Sequence, residues 1–264
     1  MTAIPIGSLV VSPTERPIVI AECCNNFQGS LEVAKHMVAV ARECGADAVK
    51  FQYRKLPGRI GLYQLGELRA LAHAVGLEFL CTAYTRESRA EIDPLVVAHK
   101  VGAAEVADAG HLAHAASFGK PVLVSTGGMD LASIVADETM RSLHPIIPLQ
   151  CTSIYPCPLD RVHLGVMQRL RALRAGGPVG YSDHTGRTEP CIAALTLGAN
   201  LIEVHFTLSK ALPGPDQACS HEPEQLRRIC DFARLRAAML DGTKEFWPEE
   251  HEKLDLFRVP QGEA

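Results

Sequence analysis

Short runs of apolar, often β-branched residues recur along the chain and alternate with longer stretches of mixed polarity. Runs that are this short and this continuously apolar are typical of strands covered on both faces, as in a parallel sheet. They recur at intervals of roughly 20–30 residues, which suits repeated strand–helix units. The predicted strands cover residues 17–22, 48–52, 78–82, 99–102, 121–125, 146–152, 179–182 and 201–205.

The stretches between these runs carry helix signals. Ser30 is placed to cap a helix over residues 31–44, and Gly45 is placed to end it. Pro223 suits the first turn of the last predicted helix, because its missing N–H would be unpaired there in any case. The remaining predicted helices cover residues 62–75, 111–118, 159–174, 189–197 and 222–240.

Eight strands that alternate with helices predict an α/β protein with a parallel sheet, and eight is the number that closes a (β/α)8 TIM barrel. The length of 264 residues suits one such barrel as a single domain over residues 1–264, with a short C-terminal tail from about 243 to 264. The alternative is an open doubly wound sheet. Its glycine-rich fingerprint is missing after the first strand, where residues 22–29 read ECCNNFQG.

Composition narrows the class of protein. Hydrophobic residues make up 47% and charged residues 21% of the chain, enough for a sizeable core. The net charge of −4 disfavours a nucleic-acid partner. No apolar stretch approaches the roughly 20 residues that span a bilayer, and the N-terminus lacks a signal-peptide pattern. Nine scattered cysteines without a CxxC pair favour a reduced, cytoplasmic setting.

Polar side chains gather at the C-terminal ends of the predicted strands. Those ends share one rim of a barrel, where active sites are built. The two-residue period of a strand also places Lys50 and Gln52 on one face, and Glu203 and His205 on one face. The polar residues at the strand ends are Glu22, Lys50, Gln52, Thr82, Lys100, Ser125, Thr152, Ser153, Ser182, His184, Glu203 and His205.

Two histidines lie at the C-terminal ends of two neighbouring predicted strands. Neutral imidazoles bind first-row divalent ions, so His184 and His205 are candidate metal ligands. The alternative is two separate histidines, each hydrogen-bonded near the rim. The sequence pattern by itself leaves both interpretations open.

Two lysines lie on the second and fourth predicted strands. Lys50 and Lys100, close to several hydroxyl side chains, would suit a phosphate group. The alternatives are internal salt bridges with Glu22 or Glu203, or a Schiff-base lysine with a depressed pKa.

The stiff loop LPGPD at residues 212–216 ends in Asp216 and is either functional or an ordinary surface turn.

An ordered set of motifs resembles the sialic acid synthase (N-acetylneuraminate synthase-like) family over about residues 17–245. The motifs are IAE at 20–22, GS at 29–30, GADAVKFQ at 45–52, STG at 125–127, CTSIYP at 151–156, GYSDHT at 180–185, IEVHFT at 202–207 and LPGPD at 212–216. The resemblance implies a (β/α)8 barrel that condenses phosphoenolpyruvate with a sugar-derived aldehyde. The products would be a 3-deoxy-2-keto acid and phosphate, as in carbohydrate biosynthesis.

The resemblance also implies roles for individual residues. A divalent ion, commonly Mn²⁺ with Mg²⁺ or Co²⁺ as alternatives, would be held by His184 and His205. The catalytic set would be these two histidines with Glu22, Lys50 and Lys100. Glu22 would transfer a proton to or from water or the acceptor, or it would bind a sugar hydroxyl. The phosphoenolpyruvate positions would be Lys50, Thr82, Lys100, Ser125, Thr152, Ser153 and Ser182, and the acceptor positions Glu22, Gln52, Tyr155 and Asp216.

Four departures from the family pattern predict a changed acceptor. Phe27 stands where the family usually has histidine, and Ala103 where it usually has serine. The segment 53–77 is shorter than usual, and the sequence stops without the C-terminal antifreeze-like domain of the family. We therefore expect an acceptor other than N-acetylmannosamine, in a specialised pathway.

Two other functions fit parts of the pattern. A metal-dependent aldolase or lyase acting on pyruvate would keep the two histidines without needing the lysines. A non-catalytic barrel that binds a phosphorylated ligand would fit Phe27 and Ala103. Self-association through the helix faces stays open.

Overall fold

In the computed structural model, which describes residues 3–56, 59–143, 145–240, 248–255 and 257, the predicted apolar runs form a closed barrel. Eight parallel strands pair in chain order, and the last of them pairs with the first, which confirms the (β/α)8 prediction. A two-stranded antiparallel hairpin precedes them. The strands are β1 (Ile4–Ile6), β2 (Leu9–Val11), β3 (Ile18–Cys24), β4 (Ala48–Tyr53), β5 (Glu78–Ala83), β6 (His99–Val101), β7 (Val122–Ser125), β8 (Ile146–Gln150), β9 (Gly180–Asp183) and β10 (Leu201–His205).

Helices surround the barrel, and those predicted from the sequence form close to their expected positions. Ser30 caps α1 by accepting a hydrogen bond from Val33 N, as its position in the sequence predicts. The stretch predicted to start at residue 159 begins with a short 3₁₀ turn, and its α-helix starts only at Val166. The helices are α1 (Leu31–Glu43), α2 (Leu62–Ala74), α3 (Arg86–Ile92), α4 (Ala109–Ala116), α5 (Leu131–Ala136), α6 (Glu138–Ser142), α7 (Val166–Leu173), α8 (Thr188–Thr196), α9 (Pro223–Leu240) and α10 (Pro248–Asp255).

The tail predicted from about residue 243 falls partly outside the described residues, which resume with α10. Trp247 also lies outside them. Within the described part of the chain, none of the helices combines the length and the apolar character that a bilayer crossing requires.

The β1–β2 hairpin closes the N-terminal end of the barrel. Ile4, Ile6 and Val11 are buried in one apolar cluster with inward-facing strand residues such as Ile20 and Leu80. Strand β9 comes especially close to its neighbours here, because a methyl group added at Gly180 would lie 2.5 Å from Leu149 Cδ2. The lower half of the lumen is therefore filled by apolar side chains, and the polar side chains of the lumen lie in the upper half.

A buried carboxylate secures the start of β3. Asp47 accepts hydrogen bonds from Arg16 at 3.0 and 2.6 Å and from the backbone N–H of Val19 at 2.9 Å. The Asp47 side chain is only 8% exposed, whereas Arg16 is 46% exposed. Asp47 thus links the segment before β3 to the loop before β4.

We predict that Asp47→Ala lowers the free energy of unfolding by about 1–3 kcal/mol, because it leaves the Val19 N–H unpaired and buried. In a chain of this size that corresponds to a drop of roughly 2–4 °C in Tm per kcal/mol. The control is Asp231→Ala, which removes an exposed pair with Arg234 and should change the stability by less than about 0.5 kcal/mol. Equal losses in the two variants, measured by thermal and urea unfolding, would contradict the assignment.

Candidate active site

The upper half of the lumen contains four buried charged side chains. Lys50 forms an ion pair with Glu22, and its Nζ lies 3.6 Å from Glu203 Oε2. Lys100 Nζ lies 3.1 Å from Glu203 Oε1. Each of the four residues is at most 6% exposed. Carboxylates and ammonium groups therefore alternate in the order Glu22, Lys50, Glu203, Lys100, which we call the charge row.

Hydroxyl groups of neighbouring strands complete the hydrogen bonds of the charge row. Lys50 Nζ donates to Thr82 Oγ1 at 3.0 Å, and Lys100 Nζ donates to Ser125 Oγ at 2.8 Å. The internal salt bridges that the sequence left as an alternative are thus present. They do not exclude a role in binding, because both lysines also border an open cavity.

The charge row shifts the pKa values of its members in different directions. Burial raises the pKa of Glu22, and the neighbouring Glu203 raises it further against the opposing effect of Lys50. Burial alone would raise the pKa of Glu203, but Lys100 and Lys50 outweigh it and hold that pKa below its usual range. Burial also acts to lower the pKa of Lys50, yet the carboxylates of Glu203 and Glu22 raise it overall.

The directions of these pKa shifts distinguish the chemical roles of the residues in the charge row. Lys50 stays an ammonium ion, so it does not fit the Schiff-base alternative, which needs a depressed pKa. Of the two carboxyl groups, Glu22 is the one whose pKa is raised, mainly by burial, whereas the pKa of Glu203 is lowered. Glu22 is therefore the group best suited to carry a proton.

Above the charge row opens a cavity of about 440 Å³ at the C-terminal rim of the barrel. Most of the side chains proposed from the sequence border it. They are Glu22, Lys50, Gln52, Thr82, Lys100, Ser125, Ser153, Tyr155, His184, His205 and Asp216.

Two proposed binding residues are not on the cavity wall. The hydroxyl of Thr152 donates to Arg161 O at 2.6 Å, because β8 ends at Gln150 and the alternation of faces no longer applies to Thr152. The Ser182 hydroxyl donates to Glu203 Oε1 at 3.0 Å and so braces the charge row. Both hydroxyls donate within the protein in this structure, and their direct contact with a ligand remains a prediction.

The two histidines lie side by side at the mouth, with ring centroids 5.3 Å apart. Burial lowers the pKa of both rings, which favours the neutral imidazole form that binds metal ions. His184 Nδ1 lies 2.7 Å from Thr152 O, and this contact fixes the ring with Nε2 free to accept a ligand. His205 Nδ1 is buried without a hydrogen-bond partner. This donor set fits a divalent ion of the first transition row.

Backbone atoms of two loops form the wall beside Lys100. The loops comprise residues 102–104 and 127–128. Gly127 N donates to Cys151 Sγ at 3.1 Å, and a methyl group at Gly127 would lie 2.2 Å from Ser153 Oγ. Gly127 can lie this close to Cys151 and Ser153 only because residue 127 has no side chain. Glycine-rich backbone beside two ammonium groups is suited to binding an anion.

The sequence did not predict part of the cavity wall. Arg54 follows β4 and lies over the ring of Tyr84, with Cζ 3.8 Å from the ring centroid, and Tyr84 follows β5. Glu105 is a further wall residue. The available signal was position, since Arg54 and Tyr84 are each the first residue after a barrel strand. Phe27, by contrast, packs in the core with its ring 6.0 Å from Phe51 and is not a wall residue of the cavity.

Comparisons with known proteins identify relatives of this chain. The model of the NeuB family matches residues 58–245. The N,N'-diacetyllegionaminic acid synthase of Legionella pneumophila is 34% identical, over 89% of this chain and 76% of that protein. The human N-acetylneuraminate-9-phosphate synthase is 30% identical, over 92% of this chain and 79% of that protein.

A solved structure extends the likeness to three dimensions. The crystal structure of the N-acetylneuraminic acid synthetase of Leptospira borgpetersenii, in complex with citrate, superposes with a TM-score of 0.84. The match covers 97% of this chain and 96% of that one, at 24% sequence identity. At this identity the likeness supports the barrel fold.

We predict that Glu203→Gln makes the protein less stable and more responsive to anions. The change removes one of two carboxylates that balance two buried ammonium groups, so unfolding should become easier by about 3–5 kcal/mol. Inorganic phosphate should then raise the Tm of the variant by more than it raises that of the wild type.

Thermal unfolding with and without phosphate measures both effects. Glu32→Gln is the control, because Glu32 is exposed, pairs with Lys35 on a helix surface and is not part of the cavity wall. A Glu203→Gln protein with wild-type stability and wild-type phosphate response would show that the row does not govern the lumen charge.

Proposed function

The chain belongs to the NeuB family and is a phosphoenolpyruvate-dependent condensing enzyme, and from that premise we propose the reaction that its site performs. Phosphoenolpyruvate joins an aldehyde through a new carbon–carbon bond, giving a 3-deoxy-2-keto acid and inorganic phosphate. The observation that carries the proposal is the charge row directly below the pair of neutral imidazoles. An anionic donor and an electrophilic carbonyl can meet between these two layers.

Lys50 and Lys100 bind the donor in this proposal. Phosphoenolpyruvate has a phosphate and a carboxylate, and two ammonium groups with adjacent hydroxyls match them. Before the donor binds, Glu22 and Glu203 keep both lysines charged and in place. Little reorganisation is then needed when the anion arrives, which is how a preorganised site stabilises charge.

The proposed reaction forms a carbon–carbon bond and a keto group and releases phosphate. C3 of phosphoenolpyruvate attacks the aldehyde carbon, and the aldehyde oxygen takes a proton. Water adds to the cationic C2 and loses one proton, which leaves a C2 hydroxyl. This hydroxyl then loses its proton to become the keto oxygen as the C2–O bond to phosphate breaks, and the departing phosphate takes that proton. Glu22 is the candidate carrier for one of these protons, since its pKa is raised by burial and it borders the cavity. Gln52 Nε2 lies 3.5 Å from Glu22 Oε1 and would orient that carboxyl group.

His184 and His205 would hold the metal that the family resemblance implies. When bound, a divalent ion supplies Lewis-acid polarisation of the aldehyde oxygen. The two rings are neutral, adjacent and partly unpartnered, and therefore fit such an ion. Mn²⁺ is the ion implied by the resemblance, with Mg²⁺ and Co²⁺ as alternatives. The Tyr155 ring, 4.2 Å from His184, lies on the acceptor side.

The acceptor is proposed to differ from N-acetylmannosamine. Relatives are named for different products, a diacetyllegionaminic acid and an N-acetylneuraminate 9-phosphate, so the barrel accommodates different acceptors. In this chain only residues 54–61 join β4 to α2, and Arg54 with Tyr84 borders the cavity there. Ala103 also removes a hydroxyl from the wall. A cytoplasmic location, where phosphoenolpyruvate is made, is part of this proposal.

We predict that Lys100→Met lowers phosphate release from phosphoenolpyruvate by at least about 10²-fold, the effect of removing one group that stabilises developing charge. Lys35→Met, at a helix-surface pair with Glu32, is the control and should retain activity. A pyruvate-dependent lyase would instead keep most of its activity in Lys100→Met. Calorimetric binding of phosphoenolpyruvate without turnover of any aldehyde would indicate a non-catalytic binding protein.

We predict that N-acetylmannosamine is a poor acceptor for this protein. The test incubates the protein with phosphoenolpyruvate, a divalent metal and a panel of aldehydes and aldoses, and measures phosphate and keto acid together. Another member of the panel should exceed N-acetylmannosamine in kcat/KM. If N-acetylmannosamine is the best substrate of the panel, the altered-acceptor proposal is wrong, while the condensation itself is upheld.

A further inference from the structure

Cys24 lies at the cavity side of the first barrel strand. Cys23 packs outward in the core between strands and helices, so the next residue faces the opposite way. The pairing of β3 with β4 shifts register between Glu22 and Cys24, and Cys24 takes a positive φ of 48°. The strand end is therefore bent, and it brings the Cys24 thiol toward the loop after β10.

Three different donor atoms meet at this point. The Cys24 Sγ, a ring nitrogen of His205 and a carboxylate oxygen of Asp216 all lie within 4.8 Å of one another. Sγ is 2.5 Å from Asp216 Oδ2 and 3.2 Å from Gln52 Nε2. These donors come from β3, β10 and the loop that follows β10, so the fold of the whole barrel assembles them.

A second, independent observation shows that the group is incomplete as a hydrogen-bonded cluster. His205 is 6% exposed, and its Nδ1 is buried without a partner. A buried polar atom without a partner is rare and calls for a ligand. The neighbouring His184 ring adds a further neutral nitrogen donor next to the cluster.

We propose that Cys24 and Asp216 join His205 and His184 as ligands of one divalent ion. The site would then present one sulfur, two nitrogen and one oxygen donor, and the Cys24 thiol would release its proton to solvent on binding. This inference rests on the proposed function and deepens it, because it specifies the metal chemistry of the same site. It assigns Asp216 to the metal instead of the acceptor.

The proposed set of donor atoms affects which divalent ion the site would bind most tightly. Thiolate is a soft ligand that favours Co²⁺, Zn²⁺ and Fe²⁺, whereas Mn²⁺ and Mg²⁺ prefer oxygen donors. A site with Cys24 should therefore bind Co²⁺ more tightly than Mn²⁺. Gln52, which donates to Sγ, would hold the sulfur in place as an outer partner.

Cobalt titration of the metal-free protein tests the proposal without any turnover. Wild-type protein should develop a thiolate-to-Co(II) charge-transfer absorption at one equivalent, and Cys24→Ser should lack it. The Kd for Co(II), measured by calorimetry, should rise by at least about tenfold in Cys24→Ser and in Asp216→Asn, the lower end of what changes around a metal cause. The ratio of Co(II) to Mn(II) affinity should also fall in Cys24→Ser.

The matched control is Cys23→Ala, the adjacent cysteine, which should keep both the absorption and the affinity. If the wild type shows no thiolate absorption, the proposal is overturned without reference to any variant. It is also overturned if the absorption survives in Cys24→Ser, since another of the nine cysteines would then be the source. A normal cobalt spectrum in a protein that does not turn over phosphoenolpyruvate would retain this inference and reject the proposed function.

Discussion

Two lysine side chains are buried inside the barrel, and the need to pair their charges organises the rest of the site. A charged group in a protein interior must have a counter-charge and hydrogen bonds. Register places Glu22 beside Lys50 on neighbouring strands. The hydroxyls of Thr82 and Ser125 accept hydrogen bonds from Lys50 and Lys100. The hairpin and the apolar layer beneath exclude water. Each charge therefore acts more strongly on its neighbours than it would in solvent.

The proposed function depends on the order in which apolar, charged and imidazole side chains follow one another along the barrel axis. The apolar floor closes the N-terminal end, the charge row lies above it, and the imidazoles of His184 and His205 lie at the mouth. Arg54 and Tyr84 complete the outer wall. In the proposed reaction the anionic donor binds to the lysines at the depth of the cavity, and the neutral electrophile binds nearer to solvent. This polarity matches a condensation between a charged donor and an uncharged aldehyde, and it leaves the outer wall free to vary with the acceptor.

The sequence predicted what depends on local periodicity. The two-residue strand period placed Lys50, Glu203 and His205 on the lumen side. The start of the first helix could be predicted because Ser30 is a residue type that caps helices. Features that depend on tertiary closure were missed. The β1–β2 hairpin is too short to be recognised without the barrel end that it covers. The Arg54–Tyr84 contact joins residues beyond two strand ends, where the two-residue period no longer holds. The same limit applies to Thr152, whose hydroxyl donates to Arg161 O beyond the end of β8.

The central claim is that the charge row receives the donor and the imidazoles hold the metal. The most direct test is a crystal structure of the protein with phosphoenolpyruvate and a divalent ion bound. The account predicts that the phosphate and carboxylate groups contact Lys50 and Lys100, and that the ion is coordinated by His184 and His205. A structure in which both lysines contact only Glu22 and Glu203, while phosphoenolpyruvate binds elsewhere or the ion is bound away from the imidazoles, would contradict it.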